Sequence, residues 1–200
     1  KGNSISFFLM EVINIATTGI WKVKKRLDVV INYTTNEIKT ENTDLYTDLH
    51  NVIDYTKSDF KTEKQFYVSG INCNPDTAYE DMINTKRNYN KLDGILAFHG
   101  FQSFKEGEVT PELAHEIGVK LANEMWGDRF EVVVSTHLNT NHYHNHFVIN
   151  SVSFKDGKRY YDKHCTYAEL RYLSDTICKE YGLSVLEEKK TKKGIVFMLN

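Results

Sequence analysis

Phe130-Glu-Val-Val-Val-Ser-Thr-His137-Leu-Asn-Thr-Asn-His142-Tyr-His144-Asn-His146-Phe-Val-Ile-Asn150-Ser-Val152 is the stretch on which the reading of this 200-residue chain turns. Its flanks, Phe130–Ser135 and Phe147–Val152, are β-branched and aromatic, as strands are. The segment between them, 138–143, is short and Asn-rich, so an antiparallel hairpin is expected. An adjacent antiparallel pair argues against a purely parallel sheet.

Working outward, Thr18–Val23 has strand propensity through Ile20, Trp21 and Val23, and a short helix is expected over 25–34 with Leu27, Val30 and Ile31 on one face. Residues 36–62 are polar, with a weak apolar pattern through Leu45, Leu49, Val52 and Ile53 that suggests a loop with one short helix. A strand is expected over Phe66–Ile71. Asn74-Pro75-Asp76 then opens a helix to about Arg87, and a buried strand over Leu92–Phe98 ends at His99-Gly100. Thr110-Pro111-Glu112 starts a helix: a capping hydroxyl, then Pro at the first helical position. Its apolar stripe is Leu113, Ile117, Leu121 and Met125, and Gly127 ends it. Thr166-Tyr-Ala-Glu169 fits a capping box, followed by a helix burying Leu170, Leu173 and Ile177, and Ile195–Leu199 suggests a last strand. The expected fold is α+β, a mainly antiparallel sheet flanked by helices.

Composition narrows the class. The chain is 40% apolar and 12% aromatic, too rich in Tyr and Phe for disorder. Lys and Arg number 25 against 27 Asp and Glu, so overall charge attracts no polyanion, and nucleic acid would have to be held by local patches. Two are visible, Lys22-Val-Lys24-Lys25-Arg26 and Lys189-Lys-Thr-Lys-Lys193; between Glu41 and Glu63 the balance is acidic. No apolar run reaches the roughly 20 residues of a membrane span, so no membrane insertion is expected. Three unevenly spaced cysteines, Cys73, Cys165 and Cys178, suggest a reducing compartment, and a cytoplasmic location is expected.

Four of eight histidines fall between positions 137 and 146. On a strand, His142, His144 and His146 share one face, about 6.6–6.8 Å apart, too far for tandem residues alone to make a tight site. Cross-strand pairing closes the gap. His137, at the end of the first strand, can face His144 or His146 with Cβ atoms about 5 Å apart, so that three imidazoles converge on one divalent cation. Zinc with an open position, or Mn²⁺, suits such donors. Asn139 stands where a second-shell partner would orient a ligand. His99, at an expected strand end, is a further candidate for the site or a plain edge histidine. His50, His115 and His164 read as surface or packing residues. The chain has no Gly-x-Ser-x-Gly, no phosphate-binding Gly loop and no His-Glu-x-x-His, but many tyrosines. Tyr33, ending a short helix directly after the basic cluster, is attractive as a nucleophile, provided that a metal offsets its free pKa of about 10.

These residues resemble a known family. His137–His146 running into Phe147–Val152 is similar to the three-histidine motif of conjugative relaxases, or mobilisation nucleases, which carry His-x-Asp-x-x-His-x-His-x-His before an apolar strand. Tyr33-Thr-Thr-Asn36 with Lys39-Thr40 resembles their nucleophile motif. Phe98-His99-Gly100-Phe101-Gln102-Ser103-Phe104 and Gly107–Pro111 resemble the middle motif of relaxases from Gram-positive mobile elements. The resemblance runs from about Gly19 to Gly194. Two departures stand out: Asn139 replaces the Asp, and Glu37 stands where a Pro is expected.

The resemblance implies a DNA relaxase that nicks one strand at an origin of transfer, forms a 5′-phosphotyrosine bond and serves conjugation or mobilisation. It implies Tyr33 as nucleophile and His137, His144 and His146 as metal ligands, with His142, Asn139 and His99 supporting the site. The expected cofactor is a divalent metal, Mn or Mg first and other transition metals next. Expected partners are single-stranded origin DNA, held by Lys22, Lys24, Lys25 and Arg26 with Tyr160 and Tyr161 stacking on bases, and relaxosome accessory proteins and a coupling protein. Residues 17–200 are expected to be an amino-terminal catalytic domain of a longer protein, and 1–16 an uncertain extension. The alternatives are a non-catalytic metal-dependent DNA-binding module and a metallohydrolase using activated water.

Overall fold

The computed structural model describes residues 17–35, 67–138, 142–161, 163–185, 188–191 and 194–197. The elements run β1 (Thr17–Val23), α1 (Leu27–Thr34), β2 (Val68–Ile71), a 3₁₀ turn (Pro75–Thr77), α2 (Ala78–Asn88), β3 (Ala97–Ser103), α3 (Pro111–Trp126), β4 (Val132–His137), β5 (His144–Asn150), α4 (His164–Glu180), β6 (Glu188–Thr191) and β7 (Gly194–Phe197). The fold is α+β. One five-stranded sheet has the order β1-β3-β5-β4-β2 with every neighbour antiparallel, and β6 and β7 form a separate antiparallel pair.

Alternation along the strands gives the sheet two unlike faces. On the back, Ile20, Phe98, Val132, Val134, Phe147 and Ile149 pack against Ala114, Ile117, Leu121 and Trp126 of α3 and Leu170 and Ile177 of α4. On the front, Val23, Ala97, Val133 and Val148 pack against Leu27 and Ile31 of α1 and Ala78 and Met82 of α2. This front cluster covers one half of the sheet; the histidines occupy the other. Thr110 Oγ1 accepts from the Leu113 amide, so the expected capping hydroxyl does start α3.

Two expected boundaries move. The strand expected over Leu92–Phe98 lies at Ala97–Ser103, because Gly94 takes a left-handed φ of 74° and Arg159 draws Asp93 and the Ile95 carbonyl into a loop. His99 is therefore mid-strand rather than at a strand end. The last helix starts at His164, not after Thr166: Thr166 Oγ1 accepts from the Lys163 amide at 3.1 Å, which makes it the inner member of the capping box. The stretch 36–62, with its weak apolar pattern, lies outside the described residues, as do residues 1–16 and Asn139.

Candidate active site

The hairpin brings the histidines together by register. His137 of β4 pairs with His144 of β5, and one step along the same face Ser135 pairs with His146. The ring centroids of His137 and His146 are 4.3 Å apart, those of His144 and His146 4.9 Å, and those of His137 and His144 5.2 Å. One ligand nitrogen from each of the three lies within 4.8 Å of the others. Three donor atoms gathered this closely could share a single ion.

Each ring is held by a partner. His137 Nε2 donates to the Thr34 carbonyl at 2.9 Å, and His144 Nδ1 donates to the His142 carbonyl at 3.0 Å. A carbonyl only accepts, so these nitrogens donate, and the other nitrogen of each ring is the candidate ligand atom. His146 Nδ1 lies 2.9 Å from His99 Nε2. Burial pushes the His99 pKa down to about 4, so this ring is neutral at ordinary pH. Ring partners of this kind orient metal-ligating histidines.

The residues fit a cation. Three imidazoles converge, and the buried Ser135 hydroxyl opposite His146 has no hydrogen-bond partner among the described residues. The carbonyl end of α1 also abuts the group. Thr34 O is an orphan acceptor of the last helical turn that His137 satisfies, and the partial negative charge of a helix C-terminus favours a cation nearby.

Helix α1 places Tyr33 here as well. Its apolar face, Leu27 and Ile31, lies on the front cluster and fixes its direction. Its C-terminal turn, tied by Thr34 Oγ1 and Thr35 Oγ1 donating to Ile31 O, ends over the histidines. The Tyr33 ring stands edge-on at 6.0 Å from His137 and 6.2 Å from His146, and it is 42% exposed.

The other residues singled out in the sequence are dispersed. His142 contributes its carbonyl beside the cluster. Lys24, Lys25 and Arg26 are exposed in the turn before α1, roughly 12 Å from Tyr33 along the helix, with Arg26 paired to Asp28; Lys22 is exposed on β1. Tyr160 packs against Phe98 and Phe130 on the back of the sheet, and Tyr161 is exposed beneath Lys163 Nζ.

A polar rung on the back escaped the sequence reading. Thr136, Asn145 and Gln102 pair directly across β4, β5 and β3, between the two histidine rungs. Thr136 donates to Asn145 Oδ1 at 2.7 Å, and Asn145 Nδ2 donates to Gln102 Oε1 at 3.1 Å and to Ala114 O at 2.7 Å. Gln102 Nε2 donates to Ser174 Oγ at 2.8 Å. His115 joins Ser69 to Thr136 at 2.8 and 2.9 Å, and burial lowers its pKa to about 4. The signal was the strand period: Asn145 lies between His144 and His146 and must face the other way.

Known proteins agree with this architecture. The family described as relaxase, MobA/VirD2-like, nuclease domain matches residues 55–183, and the chain belongs to that family. Protein rlx of Staphylococcus aureus is 42% identical over 136 residues, covering 64% of this chain and 43% of that protein. A second rlx protein from the same species is 40% identical over 120 residues, 60% of this chain and 37% of that protein. The group II intron-interrupted relaxase LtrB of Lactococcus lactis subsp. cremoris is 29% identical over 175 residues, 78% of this chain and 31% of that protein. The chain thus spans less than half the length of these relatives. It is a relaxase-family enzyme domain with a three-histidine cluster able to hold a metal ion. Among the described residues no helix is long and apolar enough to cross a membrane.

Proposed function

We propose that this chain nicks single-stranded DNA at an origin of transfer, with Tyr33 as nucleophile. The observation that carries the reading is the Tyr33 ring standing against His137 and His146 at the carbonyl end of α1. The Tyr33 oxygen attacks the scissile phosphorus in line. The Tyr–O–P bond forms, the bond from phosphorus to the 3′ oxygen breaks, and the tyrosyl proton ends on the released 3′-hydroxyl. One phosphodiester replaces another, so the step is reversible and the strand is rejoined after transfer.

His137, His144 and His146 would hold a divalent cation, Mn²⁺ ahead of Mg²⁺ because imidazole suits the transition ion better, and other transition metals suit the same donors. When bound, the cation supplies charge neutralisation to the phosphate. The Thr34 carbonyl, the His142 carbonyl and His99 keep the three rings turned toward it. Lys22, Lys24, Lys25 and Arg26 attract the DNA backbone, and exposed Tyr161 adds stacking away from the centre, whereas Tyr160, expected to stack as well, has its ring engaged by Phe98 and Phe130 in the back core. The three cysteines are free, which suits the reducing cytoplasm as the place of action. Accessory relaxosome proteins and a coupling protein complete the expected set of partners.

The test is incubation of the protein with an origin-derived single strand and Mn²⁺, followed by a denaturing gel and mass spectrometry of the adducted peptide. The expected product is DNA attached through its 5′ end to the Tyr33 peptide. Cleavage without attachment points instead to hydrolysis by activated water. Binding with no cleavage leaves a metal-dependent DNA-binding module.

A further inference from the structure

We infer that Trp21 and Phe101 form a nucleobase seat on the front of the sheet, beside the histidines, where a base of the bound single strand stacks on the Trp21 indole. The inference rests on the DNA-nicking reading and specifies where the strand lies. Trp21 is on β1, at the sheet edge, and is 44% exposed, whereas the chain's other tryptophan, Trp126, is only 2% exposed in the back core. One side of the Trp21 indole is held by His99, centroid to centroid at 4.4 Å. His99 in turn meets His146. The indole is therefore two ring contacts from the candidate metal centre, with much of its surface in solvent.

Phe101 extends the seat. Its ring is 6.0 Å from Trp21 and lies directly over Gly19: a Cβ on Gly19 would fall 2.4 Å from Phe101 Cε1. Glycine at 19 lets the ring lie along the sheet instead of standing off it. Among the described residues the apolar faces of α1 and α2 lie on the other half of this face, where Leu27, Ile31, Ala78 and Met82 pack. Exposed aromatic rings mark a binding surface when they cluster. Here exposed Trp21, with half-buried Phe101 beside it, is followed a few residues on in sequence by exposed Lys24, Lys25 and Arg26. Rings next to cations suit bases joined by phosphates better than the apolar core of a protein partner, and stacking tolerates any base because each has a π-face.

The test is the affinity of the chain for a fluorescein-labelled oligothymidylate, read by anisotropy in EDTA so that the histidine cluster makes no metal contact. Trp21→Ala is expected to weaken binding about tenfold or more, and Trp21→Phe to restore most of it. The slope of log affinity against log salt stays unchanged, because a stacked ring releases no counterions. In the parent, the oligonucleotide quenches the indole emission of Trp21. Trp21→Leu keeps an apolar side chain against His99 and is expected to bind as weakly as Trp21→Ala, with thermal midpoints showing that all variants fold. Equal affinity of parent and Trp21→Leu overturns the seat, as does a loss accompanied by a shallower salt slope. A parent that binds no single strand at all overturns the DNA reading and the seat with it. A parent that forms the tyrosyl adduct while Trp21→Leu binds normally overturns the seat alone.

Discussion

The two faces of the central sheet are built from the same five strands and do opposite things with polar side chains. On the back, Thr136, Asn145, Gln102, Ser174, His115 and Ser69 hydrogen-bond to one another between α3 and α4. The bonds run in one line from half-buried Ser69 and His115 to buried Thr136, Asn145, Gln102 and Ser174. On the front, His137, His144 and His146 spend one nitrogen each on a fixed partner and turn the rest of the ring toward a common point. Back-face polarity holds the strands in register; front-face polarity is kept for a ligand. A satisfied buried network rigidifies what it joins, and the back rung lies between the two histidine rungs it steadies.

Breaking the front is expected to have the largest effect on chemistry and little on stability. Tyr33→Phe removes the covalent DNA adduct on a denaturing gel while DNA binding persists; an undiminished adduct would move the nucleophile elsewhere. Chelation with EDTA gives the same loss in the parent, restored by Mn²⁺. Breaking the back should do the reverse. Asn145→Leu removes the hydrogen bonds that join Asn145 to Thr136, Gln102 and the Ala114 carbonyl, leaves Gln102 Oε1 buried without its donor, and is expected to cost about 2–3 kcal/mol in urea unfolding. A cost near zero would show that the rung is dispensable. Gly118→Ala is expected to cost about 1–3 kcal/mol, because its Cβ would fall 2.4 Å from Asn145 Nδ2.

A pH series sharpens the contrast further. The pKa of His115 falls from 6.5 to about 4 on folding, because burial disfavours its cation. Between those values the unfolded chain binds the proton and the folded one does not, so stability falls as pH drops from about 6.5 to 4. His115→Gln is expected to flatten that part of the profile, measured as the urea midpoint at each pH; an unchanged profile would remove His115 as its source. The smallest effect is expected at Tyr161, 66% exposed, where Tyr161→Ser changes the unfolding free energy in urea by less than about 0.5 kcal/mol.

Much of the site was legible before any coordinates. The hairpin followed from two β-branched runs around a short polar segment, and the three-histidine group from period-two spacing plus cross-strand pairing. What the spacing left open was whether His137 faces His144 or His146; register chose His144, while its ring also approaches His146 diagonally. His99 was misplaced at a strand end because the apolar run Gly94–Phe98 looked like the strand itself, when Arg159, distant in sequence, claims the preceding backbone for a loop.

The sequence by itself determined the antiparallel hairpin, the common face of His144 and His146, the capped start of α3 and the kinship with relaxases, because all four depend on near neighbours in the chain or on local motifs. Only the tertiary structure decided that the last turn of α1 sets the Tyr33 ring and the Thr34 carbonyl against His137, that His99 reaches His146 from the neighbouring strand, and that Asn145 finds Gln102 and Thr136 behind them. Those contacts join residues distant in the chain; Thr34 and His137, for example, are 103 positions apart. They come from burying Leu27 and Ile31 on the sheet and from strand order, which no local pattern encodes.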